Sequence, residues 1–328
     1  MQLSLPLAMP ESETSLSIFD RVKTCKSLPV LTPLASKILK MCQDDEANAS
    51  ELAQVISQDP GMVAQILFMA NSGYYGGSRH KVTSAVQAVT LLGFSTIANL
   101  ALSLCFHRLI KDLRDTNRSG LDHVNYWRQS VFASVAGRVL GQHFRHQDPE
   151  LVFLSALLQD IGILALHEVI PEEVGSLYGK AGESHAALPQ LELEHLGVDH
   201  PQVGAWLAQH WDLPEEFQIA ILYSHTPELF ETPTEFQTLV DCVALAGTMA
   251  DIWTSSNPEA ALESVKTYSQ VRRTISQNEW GPVLHHITGA LPKVASFFHT
   301  RLGNWEDITQ RYHLALKYLA PSYQPQHA

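Results

Sequence analysis

The sequence has 328 residues, with 22 Lys+Arg against 34 Asp+Glu, so its formal charge is −12 when its 16 His are neutral. Hydrophobic residues make up 45% and charged residues 17%, a core-forming composition that excludes a disordered chain. The acidic balance excludes a broad phosphate-binding surface, so nucleic acid is not an expected partner.

In chain order, residues 1–17 read as a flexible tail. MQLSLPLAMPESETS carries no basic stretch ahead of an apolar one, so no secretory signal is predicted. Leu34, Ile38 and Met41 then share one helical face, and Leu52, Val55 and Ile56 another, ended by Asp59-Pro60-Gly61. Val63, Ile66, Leu67 and Ala70 continue to Asn71-Ser72-Gly73, a C-cap and turn. Gly76-Gly77 has the look of a turn, but its flanks are not strand-like. Ser84 is placed to cap a helix through Val86, Val89 and Leu92 that stops at Gly93, and Ser95 to cap the next, through Leu100 and Leu104. The most apolar stretch, Ala85 to Phe106, is interrupted by Gln87, Thr90, Gly93, Ser95, Thr96, Asn99 and Ser103, so no membrane span is predicted. Polar Lys111–Gly120 marks the best boundary, with softer breaks at Thr226–Glu235 and Trp253–Pro258. His143 and His146, with Arg145, are expected on the surface at the end of an amphipathic helix. Trp280-Gly281-Pro282 reads as a break between two C-terminal helices, and the tail from Pro321 as disordered. The six Trp are read as core residues. No segment sustains strand alternation, so the chain is predicted to be all-α. Cys25, Cys42, Cys105 and Cys242 form no CxxC pair, which argues against disulfides or a thiolate zinc site and for a reduced, cytoplasmic location.

Several segments set polar residues on or beside apolar helical runs. They are Tyr126-Trp127-Arg128-Gln129-Ser130, Ala156 to Gly162 with Gln159-Asp160, Gly197-Val198-Asp199-His200, Leu222-Tyr223-Ser224-His225, and Ala246 to Asp251. Side chains from separate helices converge inside bundles, where His and carboxylates make metal sites. In order, these segments resemble the HD superfamily of metal-dependent phosphohydrolases. More narrowly, the chain is similar to HDOD domains, the HD-related output domains of bacterial signalling proteins. The narrower resemblance rests on Leu28-Pro29, Ile56-Ser57-Gln58-Asp59-Pro60, Met69 to Gly76, Ala85-Val86-Gln87 through Leu91-Leu92-Gly93, and Gly204 to Pro214 with Trp211-Asp212-Leu213-Pro214. It covers roughly residues 18–251.

The resemblance implies an HD-like multi-helix bundle preceded by a helical N-terminal subdomain and followed by C-terminal helices. The expected divisions are a tail over 1–17, the N-terminal subdomain over 18–115, the bundle over 116–255, a C-terminal extension over 256–320 of no assigned role, and a tail over 321–328. It also implies a metal site built from a His, a His-Asp pair and a final Asp. Here Gln129 stands at the first His and Gln159 at the second, beside Asp160, while Asp251 is the final acid. An amide oxygen is a weak ligand where imidazole is a good one, and without a metal no hydroxide nucleophile forms near neutral pH. The expectation is therefore a degenerate, non-catalytic site with no cofactor. The alternative is a divalent metal (Fe, Mn or Zn) held in an altered place by Asp160, His200, His225 and Asp251, of which the two His match second-metal positions of two-metal relatives. Against it, Asp160 is expected to pair with an Arg or to cap a helix, and His225 to end one at its negative pole.

Asn71, Ser72, Tyr74, Tyr75 and Arg128 are candidates for lining a ligand pocket, although a capping turn with packed tyrosines is the simpler arrangement at 71–75. Arg79, His80 and Lys81 read as a solvated basic loop. No GxGxxG, P-loop or GxSxG motif is present. The function implied is a bacterial signal-transduction module, non-catalytic, acting through a signalling protein partner or a small anionic or nucleotide ligand. The alternative is a metal-dependent, phosphodiesterase-like phosphohydrolase with an atypical site.

Overall fold

Short polar residues open the first helices. Ser17, Thr32, Asn48, Asp59 and Ser84 each accept a hydrogen bond from a backbone N–H in the turn that follows, satisfying donors that the helix itself leaves open. They start α1 (Ile18–Thr24), α2 (Pro33–Cys42), α3 (Ala49–Ile56), α4 (Pro60–Asn71) and α5 (Ala85–Leu92), and α6 (Phe94–Arg114) completes the N-terminal half. The computed structural model describes residues 17–76, 81–114, 120–182, 185–230, 236–272 and 275–324. Gly77, Arg79, His80, Pro233, residues 1–16 of the first tail and residues 325–328 of the second lie outside the described residues.

Gly93, at φ 86°, ends α5 and turns the chain directly into α6. Ser95 therefore sits inside α6 and does not cap it as expected; its hydroxyl donates instead to Asp148. The polar segment after Lys111 begins helical, because α6 runs to Arg114, and residues 115–119 lie outside the described residues.

The bundle follows: α7 (His123–His143), α8 (Pro149–Leu158), α9 (Ile161–Val169), α10 (Pro171–Ala181), α11 (Leu188–Leu196), α12 (His200–His210), α13 (Glu215–Leu222) and α14 (Gln237–Thr254). Helix α7 is its axis, packed chiefly on α8 and α14. From Tyr126 to Gly141 every residue but Arg128 is buried. The expected amphipathic helix is thus corrected to one buried on all sides; His143 and His146 are half-buried, and Arg145 alone of the three is exposed. Gly137 and Gly141 let α8 approach, since a Cβ there would stand 3.0 Å from the Ala156 Cβ and 3.1 Å from Val152 Cγ2. The Arg138 guanidinium pairs with Glu150 and lies 4.2 Å and 4.8 Å from the ring centres of Tyr74 and Tyr75, which fastens the N-terminal half to the bundle.

Three more helices, α15 (Pro258–Val271), α16 (Gln277–Phe297) and α17 (Trp305–Leu319), pack on α7, α14 and α4. Trp280-Gly281-Pro282 is no break: it lies in the first turns of α16, which Ser276 and Glu279 start with a reciprocal capping box. Gly281 is small because the Tyr323 ring occupies the place of its Cβ, 2.1 Å from the nearest ring atom, so the chain is docked two residues past Pro321. Among the Trp, Trp127, Trp211, Trp253 and Trp280 are buried, whereas Trp305 is exposed. Among the described residues there is no strand, and the chain is an all-α bundle with helices before and after it. One helical stretch, Pro149–Val169, is apolar and long enough to cross a membrane, and 89% of its most apolar window is buried within the fold.

Candidate functional site

Helices α9 and α12 touch backbone to backbone. A Cβ on Gly162 would lie 2.0 Å from the His200 carbonyl oxygen and 2.7 Å from the Gly204 nitrogen. That contact sets His200, the first residue of α12, beside Asp160, the residue before α9. His225, three residues beyond α13, closes the group. His225 Nε2 stands 3.1 Å from Asp160 Oδ1 and 3.1 Å from His200 Nε2, and His200 Nε2 stands 3.4 Å from Asp160 Oδ1. Asp160 makes no side-chain cap bond to α9, so the expected cap is overturned, and its carboxylate faces two imidazoles. His225 likewise faces this group rather than closing α13.

The other ring nitrogen of His200 is held by a residue that the sequence reading missed. Glu192 on α11 is fully buried, and its Oε2 accepts both from the His200 backbone N–H and from Nδ1, each at 2.7 Å. A carboxylate on Nδ1 fixes the tautomer that presents Nε2 to the site. The available signal was an acid between Leu191 and Leu193, eight residues before His200. Burial alone would push the His200 imidazole down, but Glu192 and then Asp160 outweigh it and hold the ring up at about 10. A cation is thus wanted at this spot: a proton on the ring supplies it, and a metal displacing that proton would supply it too. For bonds of about 2.1 Å, donors at the observed spacing subtend roughly 100° at a shared ion, so the three side chains fit a divalent metal. Two imidazoles and one carboxylate are the donor set that suits zinc, iron or manganese. Such an ion would supply Lewis acidity and a bound water, and Asp160, His200 and His225 would hold it.

The remaining half of the expected site is built differently. Gln129 Nε2 donates to Asp251 Oδ1 at 3.0 Å and to the Gly247 carbonyl at 3.1 Å, while its amide oxygen accepts from the Thr254 hydroxyl. The amide therefore turns its N–H groups, not a lone pair, to Asp251. Gln159 is 1% exposed and neither of its amide atoms has a hydrogen-bond partner. It is pressed on Gly247, where a Cβ would stand 2.7 Å from Nε2. Asp251 is not among the three clustered ligands, so the four acids and imidazoles do not form one group. The recess above Asp251, lined by Asn125, Gln129, Tyr178 and Thr254, has a volume of about 30 Å³, room for a water and little more. Burial, and then the Asp160 charge, push the phenols of Tyr126 and Tyr178 well above their ordinary range, so both stay neutral.

The five pocket candidates do not all share a pocket, although Asn71 and Ser72 line one open recess of about 530 Å³. Asn71 clamps a loop, donating to the Leu67 and Val82 carbonyls and accepting from the Val82 N–H. Ser72 caps the turn at Tyr74, and the two tyrosines pack on Arg138. Arg128 points elsewhere, donating to the carbonyls of Leu302 and Trp253. Each is spent on structure.

A family model, the HDOD domain, matches residues 28–227. An uncharacterized protein of Treponema pallidum (strain Nichols) is 26% identical over 233 residues, 70% of this chain, and the match takes in 43% of that protein, so this chain corresponds to less than half of its relative's length. In structure the chain is similar to a candidate phosphohydrolase from Shewanella amazonensis SB2B, at TM-score 0.65 and 18% identity over 86% of this chain and 97% of that one. It is also similar to an HDOD domain protein with unknown function from Geobacter sulfurreducens, at TM-score 0.63 and 20% identity over 92% and 97%. At those identities the likeness carries the fold.

Proposed function

The chain belongs to the HDOD domain family, and from that membership we propose that it is a non-catalytic signalling module of the cytoplasm that acts by binding a protein partner. The observation that carries this reading is the Gln129 amide: its nitrogen donates to Asp251 and to the Gly247 carbonyl and its oxygen is taken by Thr254, so the position that should offer a metal an imidazole offers a donor. The 30 Å³ recess supports it, because a phosphate ester has no room above Asp251. The unpartnered Gln159 amide at the second imidazole position supports it as well.

A second reading has its own observation. Asp160, His200 and His225 are spaced for one divalent ion, with Glu192 orienting His200, which favours a phosphohydrolase with an atypical metal site. Elemental analysis of the purified full chain, with assays on bis(p-nitrophenyl) phosphate and cyclic dinucleotides, separates the two. The expected result is no turnover at any added Fe, Mn or Zn. Turnover that is lost in both Asp160→Ala and His225→Ala, together with stoichiometric metal, would overturn the first reading and establish the second.

A further inference from the structure

A second recess lies in a seam of the fold, away from the site described above. A cavity of about 450 Å³ lies where α4, α6, α7 and the end of α16 meet. That volume is in the range of small-ligand sites. Its inner wall is aromatic: Trp127 and Phe298 are buried and meet edge to face at 5.1 Å between ring centres. Its outer wall carries His107, Arg108, Lys111, His123 and His299, and no described lining residue is Asp or Glu. In a chain of net charge −12, the described lining offers basic side chains and no acidic one. Arg108 also pairs with Asp59 outside the lining, so Lys111 supplies the standing positive charge and the three imidazoles add ring nitrogens.

His299 adds an independent observation. It sits in left-handed backbone, φ 49°, at the turn that ends α16, where the Thr300 N–H reaches back to the Ala295 carbonyl. Glycine is the residue such a turn favours. Here the strained place is given to an imidazole that lines the cavity and meets Gln65 across the seam.

We propose that this cavity binds a small ligand made of a planar ring and a phosphate, a purine mononucleotide being the simplest member, with the ring against Trp127 and His107, which pack at 4.6 Å between ring centres, and the phosphate between Lys111 and His299. Aromatic stacking and charge-assisted bonds to phosphate are the two interactions that the walls offer. Because the walls come from the N-terminal half, the bundle and the C-terminal helices, an occupant ties all three together. The site deepens the signalling reading by naming its ligand class, and it rests on that reading only for its purpose.

The test is calorimetric titration of the full chain with AMP, GMP, adenosine and inorganic phosphate, followed also by Trp fluorescence. AMP or GMP should bind saturably, and adenosine and phosphate at least about tenfold more weakly, as expected when one of two interactions is removed. Lys111→Glu, at an exposed position, should weaken nucleotide binding by about tenfold or more. His299→Gly should weaken it as well while leaving Tm unchanged or higher, because the turn is relieved; a merely structural His299 would raise Tm and leave binding alone. Absence of nucleotide binding, phosphate binding as tight as nucleotide, or binding indifferent to Lys111→Glu would each overturn the proposal. Metal content of the same preparations reports separately on Asp160, His200 and His225, so failure here is distinguishable from failure of the functional reading.

Discussion

The two halves of the expected metal site have had opposite fates within one bundle. Around Asp160, His200 and His225 every donor atom is aimed inward, and Glu192 is spent on orienting a ring. Around Asp251 the imidazoles are amides: one is built into the hydrogen bonding of α14, and the other, Gln159, is packed without partners. The first half keeps a strong electrostatic need for a cation, and the second has been closed with neutral groups. Both halves keep a buried carboxylate, because a buried acid needs a partner and not a particular one.

That contrast can be broken by mutation, and the largest effect belongs to the charged half. Glu192→Ala leaves the buried His200 ring with half of its counter-charge and should cost about 3–5 kcal/mol, read as a fall in the urea midpoint at constant m. An effect below about 1 kcal/mol would mean that Glu192 does not hold the ring. Next, Gly247→Ala places a methyl 2.7 Å from the Gln159 amide. It should cost about 1–3 kcal/mol alone and close to nothing in a Gln159→Ala background, a coupling that a double-mutant cycle measures. Smaller again, Gln159→Met replaces two unpartnered buried polar atoms with an apolar chain of similar shape and should gain about 1 kcal/mol. A loss would show that the amide has partners after all and that the neutral half is not idle.

The smallest effect lies outside both halves and serves as their control. The Arg108 guanidinium holds the Asp59 carboxyl below the usual carboxylate range, against the opposing push of burial. Its folded value is depressed, so its contribution is fully present above the ordinary Asp value near 4 and is lost as pH falls through the folded value. For a partly exposed pair this amounts to no more than about 1 kcal/mol. Urea melts between pH 3 and about 6 should show that slope in the wild type and a flatter one in Asp59→Asn, which keeps the cap oxygen and removes the charge.

The fold was legible wherever a local rule was decisive. Ser84, Gly93 and Asp59-Pro60 stand where their chemistry placed them. Ser95 misled because Gly93 had already begun the next helix, and Trp280-Gly281-Pro282 because the reason for that glycine, Tyr323, lies some forty residues away. Helix α7 was misread as amphipathic because a helix covered on all sides has no polar face to give it a period. Of the site, the residue types were legible through family resemblance, but their convergence was not, since it depends on the meeting of Gly162 with Gly204. Glu192 looked like any acid on a helix. The seam cavity was invisible in the sequence because four distant segments each supply a small part of it.

The glycine contact between α9 and α12 has a mechanical consequence. Most helix pairs are separated by side chains whose rotamers absorb small displacements like a cushion. Here the Gly162 nitrogen lies 3.2 Å from where a Gly204 Cβ would stand, and nothing compressible is interposed. The two helices are a stiff joint: they translate together or not at all. Any displacement of α12 at Gly204 is handed to α9 at Gly162, two residues from Asp160.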